Sequence, residues 1–129
     1  NGGKGYFDAV ARHPYVEPTS WGLGYLQNEI ARLQTVMLRN DDSETPIWIT
    51  ESGWSSAGHW TDNQQAEAVD IGYGYLVNIE GIGPVFWFNF RNRGADPNSF
   101  DDNLGLIDFE WNRKPVYYSY QAFIAEDKR

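Results

Sequence analysis

The stretch Pro46-Ile-Trp-Ile-Thr-Glu-Ser-Gly-Trp54 decides how the chain is read. Its first half is a short β-rich run bounded by Pro46 and Gly53. Continuous apolarity over so few residues suggests a strand buried on both faces, as in a parallel sheet. Parallel neighbours need crossover connections, which are usually helical. The flanking sequence supplies them on both sides.

Upstream, Tyr6 to Arg12 mixes aromatic and β-branched residues and reads as a strand that stops at His13-Pro14-Tyr15, because Pro14 cannot donate to a ladder. Pro18 falls in the next loop, and Thr19 or Ser20 can cap a helix. Leu26, Ile30, Leu33 and Met37 then recur on one helical face, with Glu29 and Arg32 outside it and able to pair. The polar run Asn40-Asp-Asp-Ser43 ends that helix. Downstream, Thr61 and Gln64 form a capping-box pattern ahead of Ala66, Val69, Tyr73 and Leu76 or Val77. Gly81-Ile-Gly-Pro84 should stop that second helix. Val85 to Phe90 reads as a third strand, followed by the polar excursion 91–103. Leu104 to Phe109 reads as one more short strand. After Pro115 a last helix should present Val116, Tyr120, Phe123 and Ile124 on one side.

The predicted order is β-α-β-α-β, an excursion and a helix. The strands begin near Phe7, Pro46 and Pro84, 39 and 38 residues apart. Alternation of this kind gives α/β architecture with parallel strands and right-handed crossovers. A closed eight-unit barrel uses about 250 residues, roughly 31 per unit, so 129 residues hold about three units and a terminal helix. The rival is a flavodoxin-like open sheet, which would normally carry a Gly-rich or acidic site after its first strand, where this chain has His13-Pro14-Tyr15. One domain is expected over 1–129.

Composition narrows the function. Eighteen acidic residues against ten basic give a formal charge of −8, which repels nucleic acid and anionic membrane surfaces alike. No cysteine is present, so disulfides, thiol catalysis and cysteine metal sites are excluded. Both an extracellular and a cytoplasmic location stay open for what reads as a soluble chain. No apolar run approaches the roughly 18 residues of a membrane span. The opening Asn-Gly-Gly-Lys-Gly-Tyr-Phe-Asp reads like the middle of a longer polypeptide. No Gly-rich phosphate loop follows any strand, and no cofactor or metal is expected. His59 reads as a solvated loop histidine. The oxygen-rich Asp96 to Asn103 fails the EF-hand pattern and reads as a loop shaping a cleft.

Aromatic residues make up 16% of the chain, more than so small a domain easily hides. Functional groups in parallel α/β folds gather at the carboxyl ends of the strands. Here those ends carry His13 and Tyr15, then Glu51 and Trp54, then Trp87, Asn89 and Arg91. A strand-end carboxylate among aromatic faces suits glycosidic chemistry, whose oxocarbenium-like transition state needs negative charge beneath the anomeric carbon. Trp faces can stack on a sugar ring, while Asn and His can bond its hydroxyls. A structural Glu51 that caps its loop or pairs with Arg91 is the competing reading.

Three motifs in order resemble the clan A glycoside hydrolases, nearest their cellulase-like and β-xylosidase-like branches. Pro46 to Trp54 resembles the seventh strand of that barrel, Phe7 to Tyr15 the sixth and Val85 to Phe90 the eighth. Gly105-Leu-Ile-Asp-Phe-Glu110 and Lys114-Pro-Val-Tyr-Tyr-Ser-Tyr-Gln-Ala-Phe123 resemble the closing turn and helix. The resemblance covers nearly the whole chain and implies the C-terminal three-eighths of a (β/α)8 barrel. It implies that Glu51 is the nucleophile of a retaining glycosidase acting on a poly- or oligosaccharide. His13 and Tyr15 would bond the sugar or orient Glu51, and Trp87 would stack beneath the sugar. A non-proline cis peptide would join Trp87 to Phe88.

The family's acid/base is a Glu after an Asn at the end of a fourth strand. The one such pair here, Asn28-Glu29, lies within a helix, and Glu17 lies in a loop. The chain alone is therefore expected to turn over little or no substrate, and to pair with the missing N-terminal part of the barrel or with itself. The alternative is a non-catalytic carbohydrate-binding module, mostly a β-sandwich architecture, against which the two amphipathic helices argue.

Overall fold

The computed structural model describes residues 3–17 and 20–126. Three parallel strands, β1 (Val10–Arg12), β2 (Ile47–Ser52) and β3 (Ile82–Trp87), form one sheet in the order β1-β2-β3. Helix α1 (Ser20–Arg39) connects the first two strands. The second crossover is α2 (Asp62–Ala68), a π-helical turn over Val69–Tyr73 and α3 (Gly74–Val77). A 3-10 turn at Asp101–Asn103 lies in the excursion, and α4 (Pro115–Glu126) closes the chain. This is a small α/β fold consistent with part of a barrel, and not the sandwich of a typical binding module. Among the described residues, no helix is long and apolar enough to cross a membrane.

The helices cover one face of the sheet. Leu26, Ile30 and Met37 of α1 and Val69, Tyr73 and Leu76 of the second crossover are buried against Ile47 and Ile49, with Leu33 packed alongside. The capping box forms as expected: Gln64 N donates to Thr61 Oγ1 at 3.2 Å, and Thr61 N donates to Gln64 Oε1 at 2.9 Å. The expected cap at Thr19, the Ser20 side chain and Pro18 lie outside the described residues.

Several expectations are corrected. Strand β1 is three residues, not seven, because pairing starts only where Val10 N reaches Pro46 O at 2.9 Å, and Tyr6 is left exposed. Strand β3 begins at Ile82, so Ile82-Gly83-Pro84 enters the sheet rather than ending a helix. Its only partner strand among the described residues is β2, which leaves an edge where Pro84 is tolerated. Leu104 to Phe109 forms no strand, only isolated bridges from Ile107 to Arg91 and Arg113. Glu29 pairs with Arg12 of β1 rather than with Arg32, since it sits over the sheet edge. Ile124 is exposed although Tyr120 and Phe123 pack on the core. The cis peptide joins Phe88 to Asn89, one bond later than the resemblance implied.

The largest departure concerns β2. Ile47 and Ile49 are buried as expected, but Trp48 is 42% exposed, and Phe86 of β3 is 52% exposed. Among the described residues, helices cover one face of the sheet and leave the other bare.

Candidate functional site

Parallel pairing brings the tips of all three strands to one end of the sheet. Arg12 lies opposite Ile49, so the next residue, His13, falls beside Thr50, and His13 Nε2 lies 2.8 Å from Thr50 Oγ1. The β2–β3 ladder is irregular at that level. From the Ile49–Val85 pair to the Ser52–Trp87 pair, β2 advances three residues while β3 advances two. Such a bulge re-aims the side chains around it, and this one contains Glu51. Beyond it the two backbones close up: a Cβ on Gly53 would collide with the Phe88 carbonyl, so only glycine fits.

The Glu51 carboxylate is bound through one oxygen. Tyr15 Oη donates to Oε2 at 2.6 Å, and His13 Nδ1 lies 3.6 Å from the same atom. No described hydrogen bond reaches Oε1. Burial, then the bond to Glu51, then the negative charges of Glu51 and Asp101 push the Tyr15 phenol upward, so it stays protonated and donating. Phe88 and Phe100 meet the Tyr15 ring edge-on, with centroids 6.2 and 6.1 Å away. Glu51, His13 and Tyr15 are thus brought together, as the sequence suggested.

Among the described residues, no hydrogen bond or ion pair joins the other four proposed site residues to the carboxylate. Trp54 is 2% exposed and stacks at 5.6 Å on Trp87. Trp87 turns toward the helices, packing on Tyr73 and Tyr120 and donating from Nε1 to Leu104 O at 3.1 Å. Both indoles belong to the helix-covered side of the sheet. Asn89 Oδ1 is buried and has no hydrogen-bond partner among the described residues. Arg91 donates to Phe109 O at 2.6 Å and lies over the Phe109 and Trp111 rings, which rules out the pairing with Glu51 that a structural reading would need.

Sequence reasoning missed several residues. Phe88 and Phe100, neither of them named as a site residue, pack edge-on against Tyr15. Phe88 lies within the Val85 to Phe90 run, whose uniform apolarity does not single it out. Ser55 and Gln65, both buried, brace the loop after β2: Ser55 Oγ donates to Phe100 O, and Gln65 Nε2 to Trp54 O at 2.6 Å and Asn103 O at 3.1 Å. Lys114 is buried at the foot of the excursion and donates to Asp62, Ser56 and Asn103. Burial pulls its pKa down, opposed by Asp62. His59, read as a solvated loop residue, is exposed and lies against the Trp60 ring. Among the described residues, no group of three or more His, Asp or Glu converges on a possible metal site.

No protein-family model and no curated protein matches the sequence. Solved structures do match by fold. A family 39 glycoside hydrolase from the gut symbiont Bacteroides cellulosilyticus WH2 is 25% identical with a TM-score of 0.68; the match covers 98% of this chain and 29% of that one. A GH2 β-galacturonidase from Eisenbergiella tayi is 16% identical with a TM-score of 0.70, covering 89% of this chain and 23% of that one. GH5_18 from Streptomyces cattleya is 22% identical with a TM-score of 0.51, covering 65% of this chain and 22% of that one. The chain spans less than a third of the length of these relatives. It shares its fold with part of several glycoside hydrolases.

Proposed function

We propose that the chain is the C-terminal three-strand part of a (β/α)8 barrel in a retaining glycoside hydrolase, with Glu51 as the nucleophile. The observation that carries this reading is the Glu51 carboxylate at the tip of the middle strand, held through Oε2 by Tyr15 and faced by His13. Oε1 is the oxygen that attacks the anomeric carbon of a carbohydrate substrate, forming a glycosyl ester as the aglycone leaves. Tyr15 fixes the carboxylate rotamer, and its raised pKa keeps it a donor throughout. When water later cleaves the ester, the negative charge returns to a carboxylate that already has a partner.

Retention also requires an acid/base carboxyl about 5–5.5 Å from the nucleophile. Glu29, in the one Asn-Glu pair, is bound to Arg12 along α1 and is not at a strand tip. The acid/base therefore comes from strands that would cover the bare face of the sheet. Those strands belong to the rest of the barrel; a second copy of the chain could cover the face but would bring no strand-end Asn-Glu.

A leaving group that needs no proton isolates the nucleophile. Incubation with 2,4-dinitrophenyl 2-deoxy-2-fluoroglycosides should release dinitrophenolate once and add one fluoroglycosyl mass to the peptide containing Glu51. Glu51→Gln should abolish the label. Label on another residue, or none with any sugar tried, overturns the assignment.

A further inference from the structure

Beside Glu51 lies a cleft of about 370 Å³, within the size range of small-ligand sites. Its walls include Tyr15, Tyr25, Ser55, Trp60 and Phe100, with Glu17 at the edge. Tyr15 is the shared wall: its ring lines the cleft while its hydroxyl holds the Glu51 carboxylate. We propose that this cleft binds a neutral pyranose unit of the substrate whose bond Glu51 attacks, and refuses a uronic acid at that position. The proposal rests on the glycosidase reading above and specifies its substrate.

Three observations support it. First, the walls are aromatic and set in place. Phe100 stands edge-on to Tyr15, its carbonyl is held by Ser55 Oγ at 2.9 Å, and Trp60 is backed by the His59 ring at 4.3 Å. Flat apolar faces with polar rims match the CH faces and hydroxyl edges of a pyranose, and rigid aromatic walls lose little entropy on binding. Second, the walls come from the segment after β1, the loop after β2, the excursion and α1, and the cleft meets the Glu51 site through Tyr15. Third, the charge has one sign. Glu17 is the one carboxylate or cation among the described lining residues, and Asp101 is close enough to act on the Tyr15 hydroxyl. A sugar carboxylate would meet like charge with no cation to offset its desolvation, whereas neutral hydroxyls can donate to Glu17.

The test is saturation-transfer NMR on the purified protein with xylotetraose, cellotetraose and trigalacturonic acid. At least one neutral tetrasaccharide should bind and the acidic trimer should not. Trp60→Ala should weaken the neutral sugar at least about tenfold, as expected for a central aromatic contact. Because Trp60 is half-buried, exposed Glu17 supplies a second variant: Glu17→Lys should let trigalacturonic acid bind while leaving the melting curve in place. Equal binding of acidic and neutral sugars, or neutral binding indifferent to Trp60→Ala in a folded variant, overturns the proposal. The fluoroglycoside label separates the two failures. Label on Glu51 with Trp60-independent binding removes only the cleft, and Trp60-dependent binding without label on Glu51 removes only the nucleophile.

Discussion

The two faces of the sheet carry similar residues and use them in opposite ways. On the helix-covered face, Trp54 and Trp87 stack with Tyr73 and Tyr120 into an aromatic core. On the other, Trp48 and Phe86 stand half exposed beneath the tip that holds Glu51, Tyr15 and His13. Aromatic content alone does not mark a sugar platform here. A strand-end tryptophan becomes core or binding surface according to the face its register assigns.

The largest test of this division lies in the core. A Cβ on Gly72 would fall inside the Trp54 ring, so the π-helical turn carries glycine where the indole presses against it. Trp54→Ala should cost about 3–5 kcal/mol, as for other buried large side chains. Gly72→Ala should cost about 1–3 kcal/mol by overpacking, and most of that cost should vanish in a Trp54→Leu background. Denaturant titration of the four variants measures both. A Trp54→Ala cost below 1 kcal/mol would mean that this tryptophan is not the core residue its burial indicates.

Much of this was legible in the sequence, for reasons that also explain the errors. The α1 stripe of Leu26, Ile30 and Met37 and the Thr61–Gln64 box are local signals, set by helical period and by backbone donors needing partners. The Glu51, Tyr15 and His13 cluster was legible because strand ends converge in parallel sheets. What failed needed register. The register shift around Glu51 changes which side chains share a face, and no periodicity in the apolar run Val85 to Phe90 says that Trp87 packs on the helices while Phe88 packs on Tyr15. The continuous apolarity of β2 suggested two covered faces, yet Trp48 is half exposed, and a run of apolar residues does not say which of its side chains a neighbouring element reaches. Arg91 shows a further limit. Its partner carbonyl on Phe109 is 18 residues away, beyond any local pattern.

The second test concerns the tip. Tyr15→Phe keeps the ring against Phe88 and Phe100 and removes only the donor to Glu51. The cost in stability should be about 1 kcal/mol, reduced from the value for a fully buried charged hydrogen bond because Glu51 is partly exposed. Labelling of Glu51 should slow more than stability falls, since the carboxylate loses its fixed rotamer. The pH dependence gives an independent sign. The folded-state pKa of Tyr15 lies above its unfolded value of 10.0, so its contribution is complete below pH 10 and is lost as pH rises further. Lys114, depressed from 10.5, acts in the opposite sense and at lower pH, its penalty fading as pH rises toward 10.5. Its effect cancels when Tyr15→Phe is compared with the parent. The variant should therefore lose less stability than the parent above about pH 10; an unchanged alkaline slope would mean that burial and the Glu51 carboxylate do not hold the Tyr15 phenol protonated.

The smallest expected effect decides whether the bare face stays bare. Trp48 is partly exposed and rests over Gly83 of β3. If nothing else covers the sheet, Trp48→Ala removes only that contact and should cost about 1 kcal/mol or less, independent of protein concentration. If a second copy or the remaining barrel strands lie against it, the same substitution empties a buried site. The cost should then rise to about 3 kcal/mol or more, and with a second copy the midpoint should move with concentration. Trp54→Ala, on the helix side, should cost the same in either state. The ratio of the two costs, with sedimentation at two concentrations, therefore separates an isolated three-strand unit from one that completes its barrel. Equal large costs in a concentration-independent monomer of 14.8 kDa would end the distinction between the faces.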